Sequence, residues 1–234
     1  MDTPTIFDLL DRLAFLRGGP SVLVVLLAGF MAVAAWDMRL VVPAMLVQYL
    51  AAGLLFVDVL DPRLAVVYVV GGVFVTLILL VTAWQVNWGR PPAGLSADEA
   101  ARLGLARRRR VGRLWVSDRA LLRLALGLAA LAVALWLGRS PGTLLTVLPE
   151  EAAYLEPAIL GLAGLGLVGL AGSVEPLPSG VGLLLFLTGF SLYYSVVDQS
   201  ITMVVALVAA QLLVALVAAY LAQARYLPAD ALDV

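Results

Sequence analysis

The chain has 234 residues, of which 63% are hydrophobic and 13% charged, and its mean hydropathy is +1.03; a soluble domain carries about 45–50% apolar and about 25% charged residues. All 15 basic residues are arginine, set against 16 acidic ones for a net charge of −1, and there is no histidine, cysteine or lysine. These absences exclude the usual haem, copper, zinc and iron–sulfur ligation, disulfides, Ser–His or Cys–His catalysis and a lysine Schiff base, so no cofactor and no metal site is expected.

The chain opens MDTPTIFDLLDRLAFLRG. Its acidic start and the lack of a cleavage site after a short apolar run argue against a signal peptide. Ile6, Phe7, Leu10, Leu13 and Phe15 interleave with Asp8, Asp11 and Arg12, so residues 1–18 are expected to lie in the membrane interface as a short helix, the alternative being a frayed terminus.

Seven apolar stretches follow. A hydrocarbon core about 30 Å thick takes roughly 20 apolar residues per helix, which predicts spans over residues 20–36, 40–58, 63–86, 119–138, 157–173, 180–197 and 199–222. Pro20 and Pro62 stand where a first helical turn tolerates proline. None of the stretches has an ionisable residue near its middle. The predicted fold is all-α integral membrane, with seven transmembrane helices. Its predicted parts are the segment 1–18, a three-helix unit over 19–86, a loop over 87–118, a linking helix over 119–138, a loop over 139–156, a second three-helix unit over 157–223 and a tail over 224–234.

Nine arginines fall between the third span and the start of the fourth, Arg107, Arg108, Arg109 and Arg110 in a row. Cytoplasmic loops are rich in Lys and Arg, so this loop is expected inside, with the N-terminus outside, the C-terminus cytoplasmic and the chain in a plasma (inner) membrane. Ser96 and Glu99 have the spacing of a capping box, which predicts a short helix over 97–110. The arginine tract is expected to set topology, and to offer a docking surface for anionic lipid or a cytoplasmic subunit; nucleic acid is not an expected partner. Trp36, Trp84, Trp88, Trp115 and Trp136 fall near predicted helix ends, as in an aromatic belt.

Sliding the chain by 137 residues lays spans one to three over spans five to seven without a gap. Pro20 meets Pro157, Gly29 meets Gly166, Leu55 meets Leu192, Val59 meets Val196 and Asp61 meets Asp198. With one extra crossing between them the two triplets have the same orientation, a parallel repeat.

Each triplet, through DMRLVVPAMLVQYLAAGLLFVDVL and DQSITMVVALVAAQLLVALVAAYLAQAR, resembles the three-helix K-type subunit of the membrane arm of respiratory complex I. The C subunit of Mrp-type cation/proton antiporters and the E-type subunit of energy-converting hydrogenases are its relatives. The resemblance implies a non-catalytic membrane subunit of a multisubunit proton- or cation-translocating complex, with antiporter-like subunits and membrane lipids as neighbours. It also implies membrane-embedded glutamates, and here the chain departs from the pattern: those positions hold Gln48 and Gln211, with Leu185 and Phe74 as their repeat mates.

Glutamine has the shape of glutamate but does not titrate. In mid-membrane it needs a partner. Gln48 and Gln211 are therefore expected to make interhelical hydrogen bonds, or else to be uncharged links in a hydrated path. Gly161, Gly164, Gly166, Gly169 and Gly172 are expected to form a close-packing helix surface. Asp58, Asp61, Asp198, Glu150, Glu151 and Glu156 are expected as solvated loop ends on the outer side. The alternatives in function are a stand-alone small transporter or channel for a neutral or weakly charged solute and a membrane-embedded enzyme using Glu150 and Glu151.

Overall fold

The computed structural model describes residues 14–35, 37–89, 108–111, 114–139, 144–145 and 148–226. Residues 1–13, Trp36, Arg107 and the span 97–107 lie outside the described residues, and with them most of the expected interfacial helix and of the expected loop helix. Among the described residues the fold has seven apolar helices: α1 (Gly19–Ala34), α2 (Met38–Val57), α3 (Pro62–Gln85), α4 (Asp118–Leu137), α5 (Glu156–Ala171), α6 (Pro176–Val197) and α7 (Ile201–Tyr226). This is an all-α membrane protein. Five helical segments, Met38–Val57, Pro62–Gln85, Glu150–Ala171, Pro176–Val197 and Ile201–Arg225, are long and apolar enough to cross a membrane, and Gly19–Ala34 and Leu121–Leu137 are shorter apolar helices.

The sequence explains the ends. The Asp37 carboxylate accepts the Arg39 amide at 3.0 Å and Asp61 accepts the Arg63 amide at 2.8 Å, each satisfying a donor that the first helical turn leaves free. Five helices lie within two residues of the expected bounds, and two differ by four residues at one end. α6 begins at Pro176, four residues before the expected 180, because prolines in a first turn forfeit only amides that have no helical partner. α7 continues to Tyr226, with Arg225 in its last turn, where a cation suits the carbonyl end. Asp198 caps the α6–α7 turn by accepting the Ser200 amide at 2.9 Å.

The expectation of a helix running to residue 110 is corrected. Arg108–Val111 (β1) pairs antiparallel with Leu114–Ser117 (β2), in register Arg108 with Ser117 and Arg110 with Trp115. Val111, Leu114, Trp115 and Val116 are residue types that favour strands over helices.

Side-chain contacts sort the helix ends onto two sides. On one, the Arg17 guanidinium pairs with Asp58 at 2.6 Å, the Tyr154 hydroxyl donates to the same carboxylate at 2.7 Å, and Gly138 lies by Pro157. On the other, Arg39 stacks over the Trp88 ring at 5.3 Å, Gln223 donates to Gln85, Arg123 donates to Ser173 at 2.9 Å and Arg225 to the Val174 carbonyl at 3.2 Å. Asn87 and Trp88, with φ of 49° and 60°, turn the chain out of α3 and bring the indole back over Arg39. All seven helices thus run from one side to the other, including the shorter α1 and α4.

α1 packs on α2, α4 and α5; α2 on α3 and α6; α3 on α7; α5 on α4 and α6; and α6 on α7. Every helix of the first triplet therefore touches its counterpart in the second. The 137-residue shift carries α1 end to end onto α5. The core is Leu, Val, Ala and Met, with Tyr49, Tyr68 and Phe56 as its largest enclosed rings.

Candidate functional site: a buried polar seam

Polar side chains enclosed by apolar helices are costly unless partnered. Those in this bundle that stand out lie on α2, α3, α6 and α7: Gln48, Tyr49, Tyr68, Thr76, Thr188, Ser191, Ser195 and Gln211, each at most 5% exposed. The hydroxyls of α3 and α6 first satisfy their own helices. Thr76 donates to the Gly72 carbonyl at 2.8 Å, Thr188 to Leu184 at 2.9 Å and Ser195 to Ser191 at 2.8 Å.

The Gln211 amide nitrogen donates to the Tyr68 hydroxyl at 2.9 Å and lies 3.3 Å from the Ser191 hydroxyl. One side chain of α7 thereby joins α3 of the first triplet to α6 of the second. The Tyr68 ring is fixed against Phe56, centroids 3.9 Å apart, and near Tyr49 at 6.1 Å. Gly72 makes room for Tyr49: a Cβ there would stand 2.7 Å from the Tyr49 Cβ. Thr188 neighbours both tyrosyl hydroxyls.

Gln48 behaves differently. It is fully enclosed, yet neither the nitrogen nor the oxygen of its amide has a hydrogen-bond partner, and the Tyr49 hydroxyl, though near Thr188, makes no hydrogen bond of ordinary geometry. The interhelical bond expected of Gln48 is not formed: Gln211 takes Tyr68 and approaches Ser191, and the nearby hydroxyls of α6 donate to their own backbone. The two tyrosines were not among the expected site residues. A signal was present, since membrane tyrosines favour the interface and these stand well inside their helices.

The five glycines of α5 face several neighbours. A Cβ on Gly166 would lie 2.7 Å from the Gly182 carbonyl oxygen, and one on Gly169 2.9 Å from the Gly182 Cα. Here α5 and α6 meet backbone to backbone. Gly161 instead receives Leu26 of α1 and Ala134 of α4, a Cβ on Gly164 would stand 3.7 Å from the Ala130 methyl, and Gly172 lies under the Arg123 side chain. Of the tract Arg107–Arg110, the last three residues begin β1.

The acidic outer side is not uniformly solvated. Glu150 and Glu151 are exposed. Glu156, by contrast, is fully buried, because its carboxylate accepts the amides of Leu144 at 2.7 Å and Leu145 at 2.9 Å and ties that loop to the start of α5. Asp58 is likewise engaged, by Arg17 and Tyr154. Among the described residues no group of histidine, cysteine or carboxylate side chains is arranged to hold a metal. No protein-family model, curated protein or solved structure matches this chain.

Proposed function

We propose that this chain is a non-catalytic integral membrane subunit of a multisubunit proton- or cation-translocating complex, packed beside antiporter-like subunits. It would lie in a plasma (inner) membrane with its N-terminus outside and its arginine-bearing loop and C-terminus cytoplasmic. The observation that carries this reading is the character of the seam. Its groups are amides and hydroxyls, which hold helices together and pass hydrogen bonds along but do not carry a charge across the bilayer. The pattern-level likeness of each triplet to K-type subunits supports the same reading.

The orientation rests on arginine. Arg39, Arg123 and Arg225 share the side onto which α3 and α4 open the arginine tract, and that side suits the cytoplasm. The α3–α7 edge supports lateral packing: 39% of the apolar window of α3 and 28% of that of α7 is buried within the chain, against 56% for α2 and α6. That leaves a broad apolar face for lipid or a neighbouring subunit.

Affinity purification of the tagged chain in mild detergent, with mass spectrometry of what stays bound, tests the proposal. Stoichiometric recovery with large antiporter-like subunits is expected. Recovery of the chain alone overturns it. The neutral seam equally suits a stand-alone transporter of a neutral solute, and uptake by vesicles holding only this chain would establish that second reading.

A further inference from the structure

We propose that Gln48 and Tyr49 hold ordered water inside the helix bundle, extending the Tyr68–Gln211–Ser191 network into a hydrated, uncharged seam. The inference does not depend on which complex the chain joins. Both residues are 0% exposed; the Gln48 amide oxygen and nitrogen have no partner in the protein, and the Tyr49 hydroxyl has only the Thr188 side chain beside it, without a hydrogen bond of ordinary geometry. Buried polar groups are almost always hydrogen-bonded, to protein or to ordered water. Full enclosure of Gln48 keeps a neighbouring subunit or a lipid headgroup from reaching its amide, so the partner has to be small enough to sit within the bundle.

The chemistry selects that partner. Gln48 offers an acceptor and two donors side by side, and Tyr49 adds a hydroxyl that both donates and accepts. Thr188 neighbours the hydroxyls of Tyr49 and Tyr68, and Tyr68 is bonded to Gln211. A ligand for such a set must be neutral, very small, and able to donate and accept at once. Water meets all three conditions, and a buried water makes about three hydrogen bonds to groups of this kind. The aliphatic lining alone would stay dry; the consecutive polar pair on α2 is what changes that.

Hydroxyl-radical footprinting by X-ray radiolysis tests this, because radicals formed from a bound water label the side chains beside it even where bulk solvent is excluded. The protein is purified in whatever assembly it forms and placed in lipid nanodiscs. Phe56, 1% exposed on the same helix, is the dry aromatic reference. Tyr49 is expected to be labelled severalfold faster than Phe56. In Gln48→Met, which keeps the shape and removes the amide, that labelling is expected to fall and Tm to drop. Labelling of Tyr49 no faster than that of Phe56 overturns the proposal without recourse to a variant. Labelling unchanged by Gln48→Met removes Gln48 from the site, and a higher Tm for Gln48→Met shows that the amide was enclosed dry.

Discussion

The α5–α6 and α3–α7 contacts solve one problem in opposite ways. Lipid tails are as apolar as leucine, so helices in a membrane are not driven together by water and must associate through close packing or hydrogen bonds. At α5–α6 the side chains have been removed: Gly166, Gly169, Gly182 and Gly189 let backbone approach backbone, and a Cβ on Gly189 would stand 2.8 Å from the Ile159 carbonyl oxygen. At α3–α7 the helices meet through Gly71 against Val208, a pair related by the 137-residue shift, and through the Gln211–Tyr68 hydrogen bond. The first contact joins neighbours within a triplet and the second joins counterparts between triplets. A backbone contact tolerates no added volume, whereas a side-chain contact can relax around a change.

The largest effect should follow from filling the closest approach. A Cβ on Gly182 would stand 2.7 Å from the Leu170 amide nitrogen and 2.9 Å from the Gly166 carbonyl oxygen. These obstacles are backbone and cannot turn aside. Gly182→Leu is expected to cost about 3 kcal/mol or more, seen as loss of a monodisperse species in size-exclusion chromatography. A folded, monodisperse variant would show that α5 and α6 are farther apart.

The polar contact should yield less. Gln211→Leu removes the bond to Tyr68 and leaves a buried hydroxyl behind, for an expected loss of about 1–2 kcal/mol. The double-mutant cycle with Tyr68→Phe sharpens the comparison. Both single variants should be destabilised and the double variant should lose less than their sum. Strict additivity in reversible unfolding would mean that the bond contributes no coupling between the triplets.

At the helix ends the expected effect is smaller again. Asp58 accepts from both Arg17 and Tyr154, and its side chain is 16% exposed against 39% for Arg17. Asp58→Ala is expected to cost about 1 kcal/mol, since partly exposed ion pairs are screened. Part of that loss should disappear in high salt. A loss independent of salt would assign the contribution to the Tyr154 hydrogen bond.

Helix number, order and approximate bounds were legible because apolar length is a direct consequence of bilayer thickness. α1 and α5 could be placed to within two residues, since a proline stands in the first turn of each. The seam was half legible. Gln211 announces itself as an amide in an apolar run, but its partners Tyr68 and Ser191 lie 143 and 20 residues away, and which faces meet is decided by helix rotation that no local pattern records. Glu156 was misplaced for the same reason. It stands at a helix start next to a loop, as a solvated residue would, and only the folding back of Leu144 and Leu145 encloses it. The strand over Arg108–Val111 follows a capping signal at Ser96 and Glu99 that favours helix, and the pairing with Leu114–Ser117 decides it.

The stripe of five glycines on α5 supplies the finest test, because composition makes its members equivalent and packing does not. At Gly161 an added methyl would stand 2.8 Å from the Ala134 Cβ, on a side chain with no rotamer to change. At Gly164 the nearest atom is the Ala130 Cβ at 3.7 Å, an ordinary van der Waals distance. Gly164→Ala should therefore fill unused space between α4 and α5 and reduce the freedom of the unfolded chain, for a gain of up to about 1 kcal/mol. The expected reading is a Tm equal to or slightly above that of the parent. A fall comparable to that expected from overpacking would mean that α4 lies closer to α5 than the other contacts of this helix pair allow, and that the stripe acts as one continuous close-packed surface after all.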